Sequence, residues 1–124
     1  RGILVVPIPG PSAPTTAIAA SGFRGDFLFV GFLPKKDGAR KQLFTECADH
    51  AYVLVCFESP YRLLRSLTLL ATLYPAARVF VGKEMTKKFE RYLVATPQTI
   101  VDLLARDAQF RKGEFTLAID FDGK

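Results

Sequence analysis

Apolar residues along the chain come in two textures: short runs of strand formers, and longer stretches in which they recur every three or four positions. The densest run, Val53-Leu54-Val55-Cys56-Phe57, shows no polar alternation and predicts a strand covered on both faces, as in the middle of an α/β sheet. Residues 2–6, 27–32, 78–82, 91–95 and 115–119 read as further strands. Between them, helices are predicted over 15–21, 42–48 and 61–74, with another starting at Thr96-Pro97. The helix over 61–74 carries Leu63, Leu64, Leu67, Leu70, Ala71 and Leu73 on a broad apolar face, with Arg62 and Arg65 on another. Strands alternating with helices define an α/β fold: a single domain with a mixed sheet of about five strands flanked by helices.

The breaks in this pattern are where chemistry gathers. Ile8-Pro9-Gly10-Pro11-Ser12-Ala13-Pro14 forms a stiff turn into a small-residue helix that Ser12 can cap and Gly22 ends. Backbone N–H groups at such a start suit a ligand's carboxylate or polar edge, and small Ala13 and Ala17 leave room for a flat ring. The alternative is a proline-rich connection with no ligand. Residues 33–41 put Lys35, Lys36, Arg40 and Lys41 in what the pattern predicts is an exposed loop, suited to phosphates or simply to solvent. The strand over 53–57 runs into Glu58, Ser59, Tyr61 and Arg62, at the strand end where open α/β sheets bind ligands. Alternatively, Ser59-Pro60 only starts a helix and Glu58 pairs with Arg62 at the surface. The strand over 78–82 also ends in mixed charge, at Lys83, Glu84, Thr86 and Lys87, which either meet a polar ligand beside Glu58 or form surface ion pairs.

Composition narrows this picture modestly. At 124 residues, 49% hydrophobic with 11 Phe, the chain suits one ordered domain and excludes a disordered one. It opens at Arg1, directly into a strand-like run, and reads as cut from something longer. No apolar run approaches a membrane span and no secretory signal is visible. Cys47 and Cys56 lack metal-type spacing, so a reducing cytoplasm is the simpler setting and no metal is expected. A net charge of +5 and a pI near 9.4 favour an anionic partner, above all nucleic acid. His50 stands without a companion at ligand spacing and is assigned no role. No Ser-His-Asp or Cys-His constellation, phosphate-binding loop or Gly-x-Gly-x-x-Gly follows a strand.

Five blocks in order carry a resemblance: Val-Pro-Ile-Pro-Gly-Pro-Ser-Ala at 6–13, Gly-Phe-Leu-Pro-Lys-Lys at 31–36, Phe-Glu-Ser-Pro-Tyr-Arg at 57–62, Lys-Glu-Met-Thr-Lys at 83–87 and Lys-Gly-Glu-Phe at 112–115. Together they resemble the small-subunit rRNA methyltransferase I family, ribose 2′-O-methyltransferases of the tetrapyrrole methylase superfamily. The resemblance implies S-adenosylmethionine as methyl donor and a cytidine of 16S rRNA, within the 30S subunit, as acceptor. It further implies two α/β domains with the cofactor between them, usually in a homodimer. Residues 1–124 then correspond to the C-terminal domain, with no counterpart of the N-terminal one.

By the same resemblance Ser12, Ala13, Phe57, Glu58, Glu84, Gly113 and Glu114 face the cofactor; with an RNA acceptor implied, the basic Lys35, Lys36, Arg40 and Lys41, together with Arg62 and Lys87, are the candidate RNA contacts. Tyr61 stands where the family has His, and Lys83 where Arg is common. Methyl transfer would be an in-line displacement, with Glu58 as the candidate acceptor for the ribose proton or, alternatively, the residue that orients Arg62. A non-catalytic binding or dimerisation module and a small-molecule methylase domain are the competing expectations.

Overall fold

The computed structural model describes residues 12–84, 91–107 and 112–122. The strand expected over 2–6, most of the turn after it, and Thr86 and Lys87 lie outside the described residues. Among the described residues nine elements follow one another: α1 (Ala13–Ser21), β1 (Phe27–Phe32), α2 (Asp37–Asp49), β2 (Val53–Glu58), α3 (Pro60–Leu73), β3 (Arg78–Lys83), β4 (Arg91–Ala95), α4 (Pro97–Arg106) and β5 (Phe115–Asp120). The strands form one mixed sheet in the order β1-β2-β5-β3-β4. β1 and β2 are parallel, β5 is antiparallel to both β2 and β3, and β4 is antiparallel to β3. The expected mixed sheet of five strands is therefore observed.

Among the described strands the middle one is β5, next to β2, the strand that the pattern placed inside the sheet. β5, the last strand, lies between β2 and β3, and five of its six residues are buried. β2 is one place off centre yet buried along almost its whole length, because helices cover it from both sides. A run of apolar residues reports coverage on two faces, and two neighbouring strands here have it.

The two faces differ in depth. On one, α2, α3 and α4 pack through Phe44, Cys47, Leu63, Leu67, Leu70, Ile100 and Leu104 against Leu54, Cys56, Val79, Val81, Leu117 and Ile119. Leu63, Leu67 and Leu70 recur at the four- and three-residue spacing that puts them on one helical face. On the other, short α1 lays Ala17 against Val53, Val55, Phe80 and Ala118. Ala17 is fully buried there, so it does not line a ligand site as its small size suggested. Beyond the reach of α1, Phe27 and Phe29 of β1, outermost among the described strands on that side, are 45% and 41% exposed.

Candidate functional site

The topology brings three chain turns to one edge of the sheet. β2 and β3 both end there and β5, running the other way, begins there, with Phe115 registered against both Glu58 and Lys83. β1 ends at the same edge, where Phe32 registers with Phe57 and the Leu33 N–H donates to the Phe57 carbonyl. Phe57 meets the rings of Phe29 and Phe32 edge to face at 5.2 and 5.6 Å. Phe32 is 61% exposed and carries this aromatic surface outward.

α1 is oriented toward that edge. Its C-terminal Gly22 shares a hollow with Ala51, just before β2, and with Asp120, at the end of β5, which places this helix end at the opposite sheet edge. Over nine residues, about 13 Å of helix, the chain runs back so that Ser12 and Ala13 head toward the edge where β2 and β3 finish. Ser12 occupies the N-cap position, but its side chain makes no capping bond; its carbonyl instead accepts from the Thr16 N–H and the Thr15 hydroxyl.

The Glu84–Glu114 turn is closed by reciprocal bonds. The Glu84 N–H donates to the Glu114 carbonyl at 2.9 Å, and the Glu114 N–H donates to Glu84 Oε1 at 2.9 Å. Glu84 takes a positive φ of 53° to do this. Gly113, at φ +101°, lies directly under the Glu84 carboxylate, where a Cβ would collide with Oε1. This carboxylate thus folds the strand ends together.

Glu58 is 1% exposed and its carboxylate is taken up on several sides. Oε1 accepts from the Ser59 N–H at 2.9 Å and from Arg62 Nε at 3.3 Å, and Oε2 accepts from the Ser66 hydroxyl at 2.7 Å. These contacts match the alternative in which Glu58 orients Arg62: a carboxylate under the first turn of α3 that receives the Ser59 N–H, the Ser66 hydroxyl and an arginine. Ser59 was expected to cap α3, and it is its carbonyl, not its hydroxyl, that accepts from the Arg62 and Leu63 N–H groups. Ser59 Oγ caps nothing and is buried without a partner among the described residues, while the Glu58 carboxylate sits at the positive end of α3.

A second correction concerns the cationic segment. Lys35, Lys36 and Lys41 are exposed as expected, but the loop is shorter than the pattern implied because α2 already starts at Asp37. One turn into that helix, Arg40 points inward and is fully buried. Its Nη1 donates to the Ser66 hydroxyl at 2.9 Å and its Nη2 pairs with Asp37. Arg40 is not available to phosphates. Asp37 in turn accepts from Arg65 at 3.1 Å, and that bond, with help from Arg40, holds its carboxyl below the usual value.

Ser66 is the residue that sequence reasoning missed. The only available signal was a small polar residue amid the leucines of α3, on the buried side one turn from Leu63 and Leu70. Cys47 and Cys56 are free and buried, with their thiols pushed up by desolvation, Cys56 the more strongly. No cluster of metal-ligating side chains occurs among the described residues. No described helix is long and apolar enough to cross a membrane.

Residues 1–101 match the sequence profile of the Tetrapyrrole (Corrin/Porphyrin) Methylases. Among curated relatives, proteins called "Ribosomal RNA small subunit methyltransferase I" from Neisseria meningitidis (strain Z2491) and Mesorhizobium japonicum are 39% and 42% identical over 119 and 121 residues. These alignments cover 95% and 96% of the chain but 41% of each relative, so the chain spans about two-fifths of their length. The fold is similar to that of the cobalt precorrin-4 methyltransferase CbiF, with TM-score 0.60 and 18% identity, covering 90% of the chain and 50% of CbiF. The methyltransferase CobJ superposes at TM-score 0.58 with 14% identity, covering 85% of the chain and 46% of CobJ.

Proposed function

The chain belongs to the tetrapyrrole (corrin/porphyrin) methylase family, and from that membership we propose that it forms one wall of a cleft for S-adenosylmethionine-dependent 2′-O-methylation of a cytidine in 16S rRNA. The observation that carries this reading is the convergence of Phe57–Glu58, Lys83–Glu84 and Glu114–Phe115 on one sheet edge toward which α1 also points. The relatives' name supplies the RNA substrate class.

The residues present fit such a cofactor. Phe57 with exposed Phe32 offers ring surface for a purine, and the start of α1 offers backbone polarity for a carboxylate. Ser12, Ala13, Phe57, Glu84, Gly113 and Glu114 would hold it. When bound there it supplies an electrophilic methyl group. The chain's own contribution is alignment and exclusion of water, with Glu84 and Gly113 fixing the turn. Glu58 holds Arg62, and Lys35, Lys36, Lys41 and Arg62 meet RNA phosphates; Lys87 enters through the resemblance alone. The whole protein is proposed to act as a cytoplasmic homodimer on the 30S subunit or its rRNA.

Titration calorimetry with S-adenosylmethionine tests the reading, on this chain and on a protein extended to the relatives' full length. We expect binding by the longer protein and little or none by this chain alone. Absence of binding by both would overturn the methyltransferase reading.

A further inference from the structure

We propose that Arg40 is a positioning residue that, through Ser66 and Glu58, fixes the guanidinium of Arg62 at the rim of the strand-end cleft as a prepared fork for an RNA phosphate. The inference rests on the RNA reading above for the identity of the anion, and on geometry alone for the relay.

The relay is continuous from one charge to the other. Arg40 Nη1 donates to Ser66 Oγ at 2.9 Å, Ser66 Oγ donates to Glu58 Oε2 at 2.7 Å, and Glu58 Oε1 accepts from Arg62 Nε at 3.3 Å. Arg40, Ser66 and Glu58 are 0%, 2% and 1% exposed, so water does not compete along the chain. Arg62 is the first member to reach solvent, with its side chain 30% exposed. Because its Nε is committed to Glu58, its rotation is restricted. Its Nη groups have no hydrogen-bond partner among the described residues. A guanidinium held by one edge with the other edge open matches the geometry of bidentate phosphate binding.

The direction of bonding also matters. Ser66 has a single hydroxyl proton, and Arg40, which can only donate, forces that proton toward Glu58. The carboxylate then receives a donor on Oε2, and Oε1 is left to the Ser59 N–H and Arg62. Remove the guanidinium and the hydroxyl is free to turn. Remove the hydroxyl and Glu58 loses its inner anchor, so the rotamer that meets Arg62 is no longer selected. Arg40 also belongs to the start of α2, immediately after the exposed Lys35 and Lys36. The relay therefore ties the cationic segment to the turn that carries Arg62.

The test reads the Arg62 Nε–Hε signal by nitrogen-15 NMR of this chain, together with its affinity for a single-stranded oligoribonucleotide. Ser66→Ala should shift the Arg62 signal and speed its solvent exchange about fivefold, the effect of losing one ordinary hydrogen bond. Ser66→Thr, which keeps the hydroxyl, should restore it, and Thr68→Ala on the exposed side of α3 should leave it unchanged. A folded Ser66→Ala protein with an unmoved Arg62 signal would overturn the relay. If the signal moves and the affinity falls in Ser66→Ala as it does in Arg62→Ala, both parts stand. If the signal moves but Arg62→Ala binds the oligonucleotide as well as the parent, the phosphate fork is overturned, whatever the calorimetric result for the cofactor.

Discussion

Gly113 and Glu84 show how one residue pair can set a turn. Gly113 adopts φ +101°, a region costly to a residue with a Cβ, and the carboxylate of Glu84 occupies the space such an atom would take. Gly113→Ala is therefore expected to destabilise the chain by about 1–3 kcal/mol, measurable by urea unfolding, and to break the bond from the Glu114 N–H to Glu84. Glu84→Gln keeps an oxygen acceptor for that N–H and should be tolerated far better. The buried thiols make a different point at the same scale. Desolvation raises both, so neither Cys47 nor Cys56 should react with a thiol reagent at neutral pH in the folded chain. Rapid labelling of native protein would show that the packing around β2 opens readily.

At the scale of elements, the start of α2 couples stability to pH. Arg65, followed by Arg40, lowers the folded-state value of Asp37 below its ordinary 3.8. The stabilisation is thus complete above the unfolded value and is lost as pH falls through the folded one. Asp37→Asn should flatten the acid limb of a stability–pH profile while leaving the shape near neutrality unchanged. Arg40→Gln should cost more, about 3 kcal/mol, because it leaves a buried carboxylate network short of its cation.

The same helix shows what the sequence could disclose. Residues 27–32, 53–57 and 91–95 announced their strands through apolar runs, and Thr96-Pro97 announced α4, where Thr96 does accept from the Thr99 N–H. Arg40 was misread because a cation amid lysines carries no local mark of burial. Its buried partner Ser66 lies 26 residues further on, and Glu58, which accepts from Ser66, is brought to the same cluster only through tertiary packing. Ser59 was misread for a different reason: its carbonyl, not its hydroxyl, accepts from the Arg62 and Leu63 N–H groups, and Glu58 accepts from its own N–H.

For the whole molecule, the surface charge that remains after these corrections decides how it should meet RNA. The net charge of +5 includes Arg40, which is sealed inside, so of the cations expected to meet RNA those that reach solvent among the described residues are Lys35, Lys36, Lys41 and the rim of Arg62. Contacts from such side chains to phosphates release counterions and read no sequence. Each lysine that engages a phosphate of single-stranded RNA should contribute about 0.7 to the slope of log affinity against log salt. Reversing Lys35, Lys36 and Lys41 together should therefore weaken binding to an rRNA fragment and reduce that slope by about 2, with unfolding free energy nearly unchanged because all three are exposed. Reversing Arg40 should do the opposite, lowering stability with little direct effect on the salt slope of whatever fraction stays folded. If the triple reversal left both affinity and slope where they were, the cationic segment would be a solvated helix start, and any RNA would have to be held from elsewhere on the molecule.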